Sequence, residues 1–274
     1  MIELVDSHAH LDMPEFEPDR SEVLARAWKA GVRSLLCPAD ITNPGSVARV
    51  LDMTGRYAWI AAAAGVHPHQ AKELKPAHLE MIRDLARNGK IAAVGEIGLD
   101  YHYDFSPPET QREAFRAQLR LARELGLPVI LHSRKAADDI VAAVAGENGS
   151  WGGVLHCFTE DRAAALEMLH WGFYISFSGI LTYPSAGDLQ GVAAELPASR
   201  LLIETDSPYL TPSPLRGKAV RNEPAFVVET ARRLAELRRM PLDELGALTL
   251  RNFRTLFSWG TFPKGTPRPG HLPR

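Results

Sequence analysis

Val5-Asp6-Ser7-His8-Ala9-His10-Leu11-Asp12 is the stretch on which the reading of this chain turns. Ile2 to Val5 reads as a short buried strand, and the two histidines stand where it ends. In extended backbone, residues two apart project to the same face. A His-x-His pair at a strand end therefore aims two imidazoles into one space, the arrangement a metal ion needs. Taken alone, such a pair is more often ordinary strand-end polarity than a metal site. Later strands decide the matter, if they bring further ligands to the same place.

Downstream, short apolar runs alternate with amphipathic segments. Ser21 to Ala30 reads as a helix with Val23, Leu24, Ala27 and Trp28 on its apolar face, stopped by Gly31. Further strands are read over Val32 to Cys37, Trp59 to Val66, Ile91 to Ile97, Pro128 to His132, Gly153 to His156, Phe173 to Phe177 and Leu201 to Asp206. Helices are read over Pro44 to Gly55, Ala77 to Arg87 and Ala163 to His170, with a further one ending near Val144 and a closing pair over Pro224 to Leu237 and Leu242 to Leu256. The best-marked helix follows Ser106, which is expected to cap it. Pro107 takes the first position, Glu109 completes a Ser-x-x-Glu box, and Gly126 with Pro128 ends it. No helix is read between the last two strands.

Near-continuous apolar strands alternating with helices imply a parallel sheet covered on both faces. Eight such units in 274 residues point to a single α/β (β/α)8 TIM barrel, with a doubly wound open sheet as the alternative. The barrel is expected to occupy residues 1–259, followed by a mobile, basic Pro/Gly-rich tail over 260–274 carrying Lys264, Arg268 and Arg274.

Composition narrows the function classes. At 45% hydrophobic and 23% charged, the chain reads as an ordinary soluble globular protein with no membrane partner. A net charge of −2 argues against a protein that coats DNA without regard to sequence. Two cysteines, Cys37 and Cys157, are too few for a disulfide framework, and the start lacks the basic and apolar regions of a signal peptide; a cytoplasmic address is the default expectation.

The strand ends carry the chemistry. The first supplies His8 and His10, the fourth Glu96, the fifth His132, the sixth His156 and the eighth Asp206. Each lies at the C-terminal end of its apolar run, the face on which barrel enzymes build active sites. In an open sheet these ends would form a row, and only closure brings the first and eighth strands together. Four imidazoles and two carboxylates exceed what one catalytic ion takes from protein, and suit two divalent ions with one carboxylate between them. Such a pair activates water and offsets charge on a reacting oxygen, which is a metallohydrolase pattern.

Ser7-His-Ala-His-Leu-Asp12, Gly65-Val-His-Pro-His69, Gly95-Glu-Ile-Gly-Leu-Asp-Tyr101, Leu131-His-Ser-Arg134, His156-Cys-Phe158, Ser176-Phe-Ser-Gly179 and Glu204-Thr-Asp-Ser-Pro-Tyr-Leu-Thr-Pro212 closely resemble the motifs of the TatD family of metal-dependent hydrolases, in the same order. The resemblance runs from Val5 to Phe257. It implies a TIM-barrel fold of the amidohydrolase superfamily and divalent-metal-dependent deoxyribonuclease activity. Carried over residue by residue, it implies His8, His10, Glu96, His132, His156 and Asp206 as metal ligands, with Glu96 bridging. One departure is visible. The family runs Arg-Gly-Lys directly into its Asn-containing motif, whereas here Ala219-Val220 intervenes between Arg216-Gly217-Lys218 and Arg221-Asn222-Glu223-Pro224.

The expected activity is therefore hydrolysis of DNA phosphodiesters, at a single-stranded region or an end, by water activated on two ions drawn from Zn, Mn, Mg, Ni or Co. Asp206 is the expected general base and Glu96 the second catalytic carboxylate. His67 is a candidate substrate contact, against a loop-stabilising hydrogen bond. Arg134 is a candidate phosphate clamp, against a rim salt bridge. Arg216, Lys218 and Arg221 are expected around the mouth with Arg134, and this basic rim favours phosphate over the alternative substrates: an amide, a lactone or an aminoacyl ester. A non-catalytic nucleic-acid-binding barrel would have lost ligands or gained a strongly basic surface, and neither is seen. DNA is the expected partner, with no obligate protein partner and a monomeric state. Cys157 is read as a packed thiol pointing away from His156, Asp100, Tyr101 and His102 as loop polarity at the mouth, and the pairs Arg232-Arg233 and Arg238-Arg239 as solvated helix faces.

Overall fold

A computed structural model describes residues 2–103, 105–147 and 152–257. Eight parallel strands stand in the order of the chain: β1 (Leu4–Asp6), β2 (Val32–Asp40), β3 (Ile60–Gly65), β4 (Ala93–Asp100), β5 (Val129–Arg134), β6 (Gly153–Leu155), β7 (Tyr174–Phe177) and β8 (Leu201–Ile203). β8 meets β1 through backbone bonds just past the strand ends. The Ser7 N–H donates to Ile203 O at 3.0 Å, the Asp206 N–H to His8 O at 2.9 Å, and the His10 N–H to Ser207 O at 2.8 Å. These bonds bring the first and last strands together and make the fold a TIM barrel rather than an open sheet.

Around it lie α1 (Arg20–Lys29), α2 (Pro44–Arg56), α3 (Pro76–Arg87), α4 (Pro108–Leu125), α5 (Ala137–Gly146), α6 (Arg162–His170), α7 (Gly187–Glu195), α8 (Val227–Leu237) and α9 (Leu242–Leu256). Strand interiors are mostly apolar because the barrel fills one face and the helices cover the other. The run Ala61-Ala62-Ala63-Ala64 of β3 is fully enclosed.

Several expectations are corrected. α7 occupies the stretch between β7 and β8 where no helix was read; Gly187 and Gly191 blunt its propensity there. Ser106 does not cap α4. Its buried hydroxyl donates to His69 O at 2.8 Å and accepts from the Lys72 N–H, tying the segment after β3 to the one before α4. Trp28 lies outside the core, 41% exposed, against Trp59 and under the Arg33 guanidinium. The eighth strand stops at Ile203 rather than Asp206, because Asp6 takes the Thr205 N–H and hydroxyl at 2.9 and 2.6 Å and pulls the chain out of the sheet. Arg238 is no solvated residue: it donates to the carbonyls of Ala193, Ala194 and Leu196 at the end of α7. The expected tail over 260–274 lies outside the described residues.

Among the described residues no helix is long and apolar enough to cross a membrane.

Candidate metal centre

The C-terminal mouth of the barrel opens into a cavity of about 790 Å³. Its floor is the Glu96 carboxylate, which the extended backbone of β4 presents on the same face as Gly98 and Asp100. A side chain at Gly98, whose φ is 144°, would collide with the His132 carbonyl oxygen, so only glycine lets β4 and β5 approach here.

Five imidazoles converge on Glu96. Its Oε1 is 2.8 Å from His132 Nδ1, 2.8 Å from His156 Nε2 and 3.3 Å from His67 Nε2. Its Oε2 is 3.3 Å from His8 Nε2 and 3.6 Å from His10 Nε2. Asp206 Oδ1 closes the other side, 3.4 Å from His10 Nε2 and 3.9 Å from His8 Nε2. Asp206 reaches in because its φ of 55° turns the backbone after Thr205. The six residues read from the strand ends thus meet in one place, and His67 joins them.

The electrostatics follow from crowding. Burial disfavours charge on Glu96, yet the surrounding imidazoles, His156 and His67 first among them, hold it well below the usual carboxylate range. Asp206 is partly buried and is held low by its bond to His10. Burial opposes a charge on His10, but Asp206 and Glu96 outweigh it and raise the imidazole to about 9. Burial lowers His67 to about 4 and also lowers His8, where the neighbouring His156 adds to the effect.

This donor set fits metal. His8 Nε2 and His10 Nε2 face each other at 3.1 Å, and the His8 ring stacks on His156 at 4.0 Å. Shared protons satisfy such a crowd poorly, whereas a divalent cation accepts imidazole nitrogen and carboxylate oxygen together. Among the described residues, three sets of donor atoms lie close enough to hold an ion: His8, His10 and Asp206; His8, Glu96 and His156; and His67, Glu96 and His132.

A second layer of carboxylates stands behind the first. Asp100 Oδ2 is 3.1 Å from His132 Nε2 and 2.9 Å from His69 Nε2, while its Oδ1 accepts the backbone N–H groups of His102 and Tyr103. Glu204 Oε1 lies 3.2 Å from His156 Nδ1 and accepts the Cys157 N–H at 2.6 Å. Such partners fix which ring nitrogen carries its proton and leave the other to a metal. Asp100 is therefore more than loop polarity. Asp100, Glu204 and Asp6 lie outside the site that the sequence predicts, although each is a carboxylate ending an apolar run, the same kind of signal that marks Asp206.

The remaining candidates divide. His67 makes the loop hydrogen bond weighed for it, its Nδ1 accepting the His69 N–H at 3.2 Å, while its Nε2 faces Glu96 rather than the outer cavity rim. Arg134 lines the cavity, its guanidinium 4.8 Å above the Tyr103 ring. Arg216, Lys218 and Arg221 do not line it: Arg216 covers Tyr183, Lys218 bonds Pro214 O, and Arg221 pairs with Asp19. Arg49, on α2, lines the cavity instead, and no motif marked it. Cys157 does not point away. With φ at 44° it turns at the end of β6, lines the cavity and sits 3.3 Å from the Ser178 hydroxyl.

The chain as a whole resembles known proteins. Residues 5–258 match the family described as TatD related DNase. The metal-dependent hydrolase YabD of Bacillus subtilis is 41% identical over 255 residues, covering 93% of this chain and 98% of the relative. The 3'-5' ssDNA/RNA exonuclease TatD of Klebsiella pneumoniae is 38% identical, covering 93% and 97%. The crystal structure of the TatD homologue YjjV from Escherichia coli superposes with a TM-score of 0.86 at 35% identity, over 93% of this chain and 98% of that one. With a match that begins in its first strand and ends just past its last helix, the chain belongs to the TatD family and is a metal-dependent hydrolase.

Proposed function

We propose that this hydrolase is a nuclease that cleaves phosphodiester bonds of DNA at a single-stranded region or an end, with two divalent ions held by His8, His10, Glu96, His132, His156 and Asp206. The observation that carries the proposal is the position of Glu96. Its two oxygens face different groups of imidazoles, His132 and His156 on one side and His8 and His10 on the other, as a carboxylate shared between two ions would. When bound, the ions supply an activated water and offset charge on the nonbridging phosphate oxygens. Asp206, partly buried and held in its ionised form, accepts the hydrogen bond of the attacking water and then its proton. Arg134, exposed at the rim, offers the phosphate a planar cation. The relatives named 3'-5' ssDNA/RNA exonuclease support this choice over a carbonyl substrate.

The test is cleavage of end-labelled single-stranded DNA and RNA by metal-stripped protein, with metals returned one at a time. Laddering from one end that depends on metal and is lost in Glu96→Gln and Asp206→Asn is the expected result. Intact nucleic acid beside turnover of an ester, lactone or amide panel would overturn the proposal.

A further inference from the structure

Three of the large apolar side chains most open to solvent stand at the mouth of this barrel: Tyr103 at 41% exposure, Phe105 at 54% and Tyr209 at 50%. Exposed aromatic rings cost free energy in water unless something covers them. Tyr103 and Phe105 follow β4, and Tyr209 follows β8, so the rings stand on opposite sides of an eight-stranded barrel. Tyr103 and Tyr209 both line the cavity whose floor is Glu96.

The β4 side is a built surface. Phe105 stacks on Tyr103 with ring centroids 5.5 Å apart and planes 19° from parallel. The Arg134 guanidinium lies over the same Tyr103 ring at 4.8 Å. His69 meets both rings edge-on, at 5.5 Å from Tyr103 and 4.8 Å from Phe105. Asp100 locks the assembly to the centre: one of its oxygens accepts the Tyr103 N–H at 3.0 Å, and the other bonds His132 and His69. The platform therefore holds a fixed position relative to the proposed metal ligands. On the β8 side, Tyr209 meets His10 edge-on at 6.3 Å and directs its hydroxyl to Met13 Sδ at 3.4 Å.

We propose that the Phe105–Tyr103–Arg134 platform and the Tyr209 ring are stacking surfaces for the two unpaired nucleobases on either side of the scissile phosphodiester. The proposal rests on the nuclease reading and specifies its substrate as a strand whose terminal bases are unpaired. Aromatic rings and guanidinium planes hold bases by their π faces, which every base has, so binding tolerates sequence while demanding that the base leave the stack of its neighbours. Inside a duplex the base pairs stacked above and below cover each base's faces, so a duplex end must fray before its bases can occupy both surfaces. Arg134 serves two purposes in this arrangement, extending the stack with its plane and offering N–H groups to phosphate.

The experiment compares two metal-loaded reactions: hydrolysis of a single-stranded oligonucleotide, and of the same oligonucleotide with its two terminal nucleotides replaced by abasic residues. Wild-type protein is expected to favour the base-bearing end by about tenfold or more in kcat/KM, through KM. Tyr103→Ala, Phe105→Ala and Tyr209→Ala should each erode that preference, and Tyr103→Phe should keep it. Equal kcat/KM on the two ends for the wild type, or a preference untouched by the three alanine variants, would overturn the stacking proposal while leaving the nuclease reading in place. Failure of the wild type to cleave either oligonucleotide would overturn the nuclease reading, and this proposal with it.

Discussion

His132 is held between two carboxylates, its Nε2 at 3.1 Å from Asp100 and its Nδ1 at 2.8 Å from Glu96. An imidazole in that position has one nitrogen committed to an outer partner and the other directed at the centre. The Asp100→Asn variant keeps the shape and the acceptor for the backbone of residues 102 and 103, but removes the charge behind the ring. Metal affinity should fall by about 10- to 100-fold. Metal titration of the purified variant, with its fold checked by circular dichroism, measures the loss; unchanged affinity would assign Asp100 to the loop alone.

Proton release should accompany metal uptake. Burial opposes the charge on His10, but Asp206 and Glu96 raise it to about 9, so at neutral pH the metal-free ring carries a proton that a metal must displace. Apparent affinity should therefore rise between pH 7 and 9. The raised value also stabilises the metal-free fold fully below the ordinary imidazole value of about 6.5, and that stability is lost as pH rises through about 9. Calorimetry in buffers of different ionisation enthalpy reads the first effect, and thermal unfolding of the chelator-treated protein across that window reads the second.

Gln118 on α4 pins the end of β3 just before His67. Its amide accepts the Val66 N–H at 2.7 Å and donates to Val66 O at 3.1 Å, with no exposure to water. Gln118→Leu would strand both backbone groups in the core, at a cost of about 1–3 kcal/mol for each. A fall in denaturant midpoint with weakened metal binding is the expected result. A variant as stable as the wild type would show that the β3 end is held by other bonds.

Arg238 gathers three carbonyls at the end of α7, at 2.9, 3.1 and 2.9 Å. Arg238→Ala should cost about 2–3 kcal/mol, since charged donors to half-buried carbonyls are stronger than neutral ones. Chemical unfolding measures this directly, and metal-dependent turnover at low temperature should be retained, because α7 contributes no donor to the centre.

The amino-acid sequence by itself determined the eight apolar runs, their alternation with helices, and the polar residue at each run's end. These are local patterns, written within a few residues of chain, and they led to His8, His10, Glu96, His132, His156 and Asp206. Only the tertiary structure decided what stands behind and above them. Glu204 reaches His156 across 48 positions, Asp6 holds Thr205 across 199, and Arg221 turns away from the mouth to Asp19 across 202. Ser106 left its cap for His69, and Tyr103 met Arg134, because closing the barrel set loops from different strands side by side. Burial favours polar groups that find a partner, and which partner is nearest depends on closure rather than on spacing along the chain.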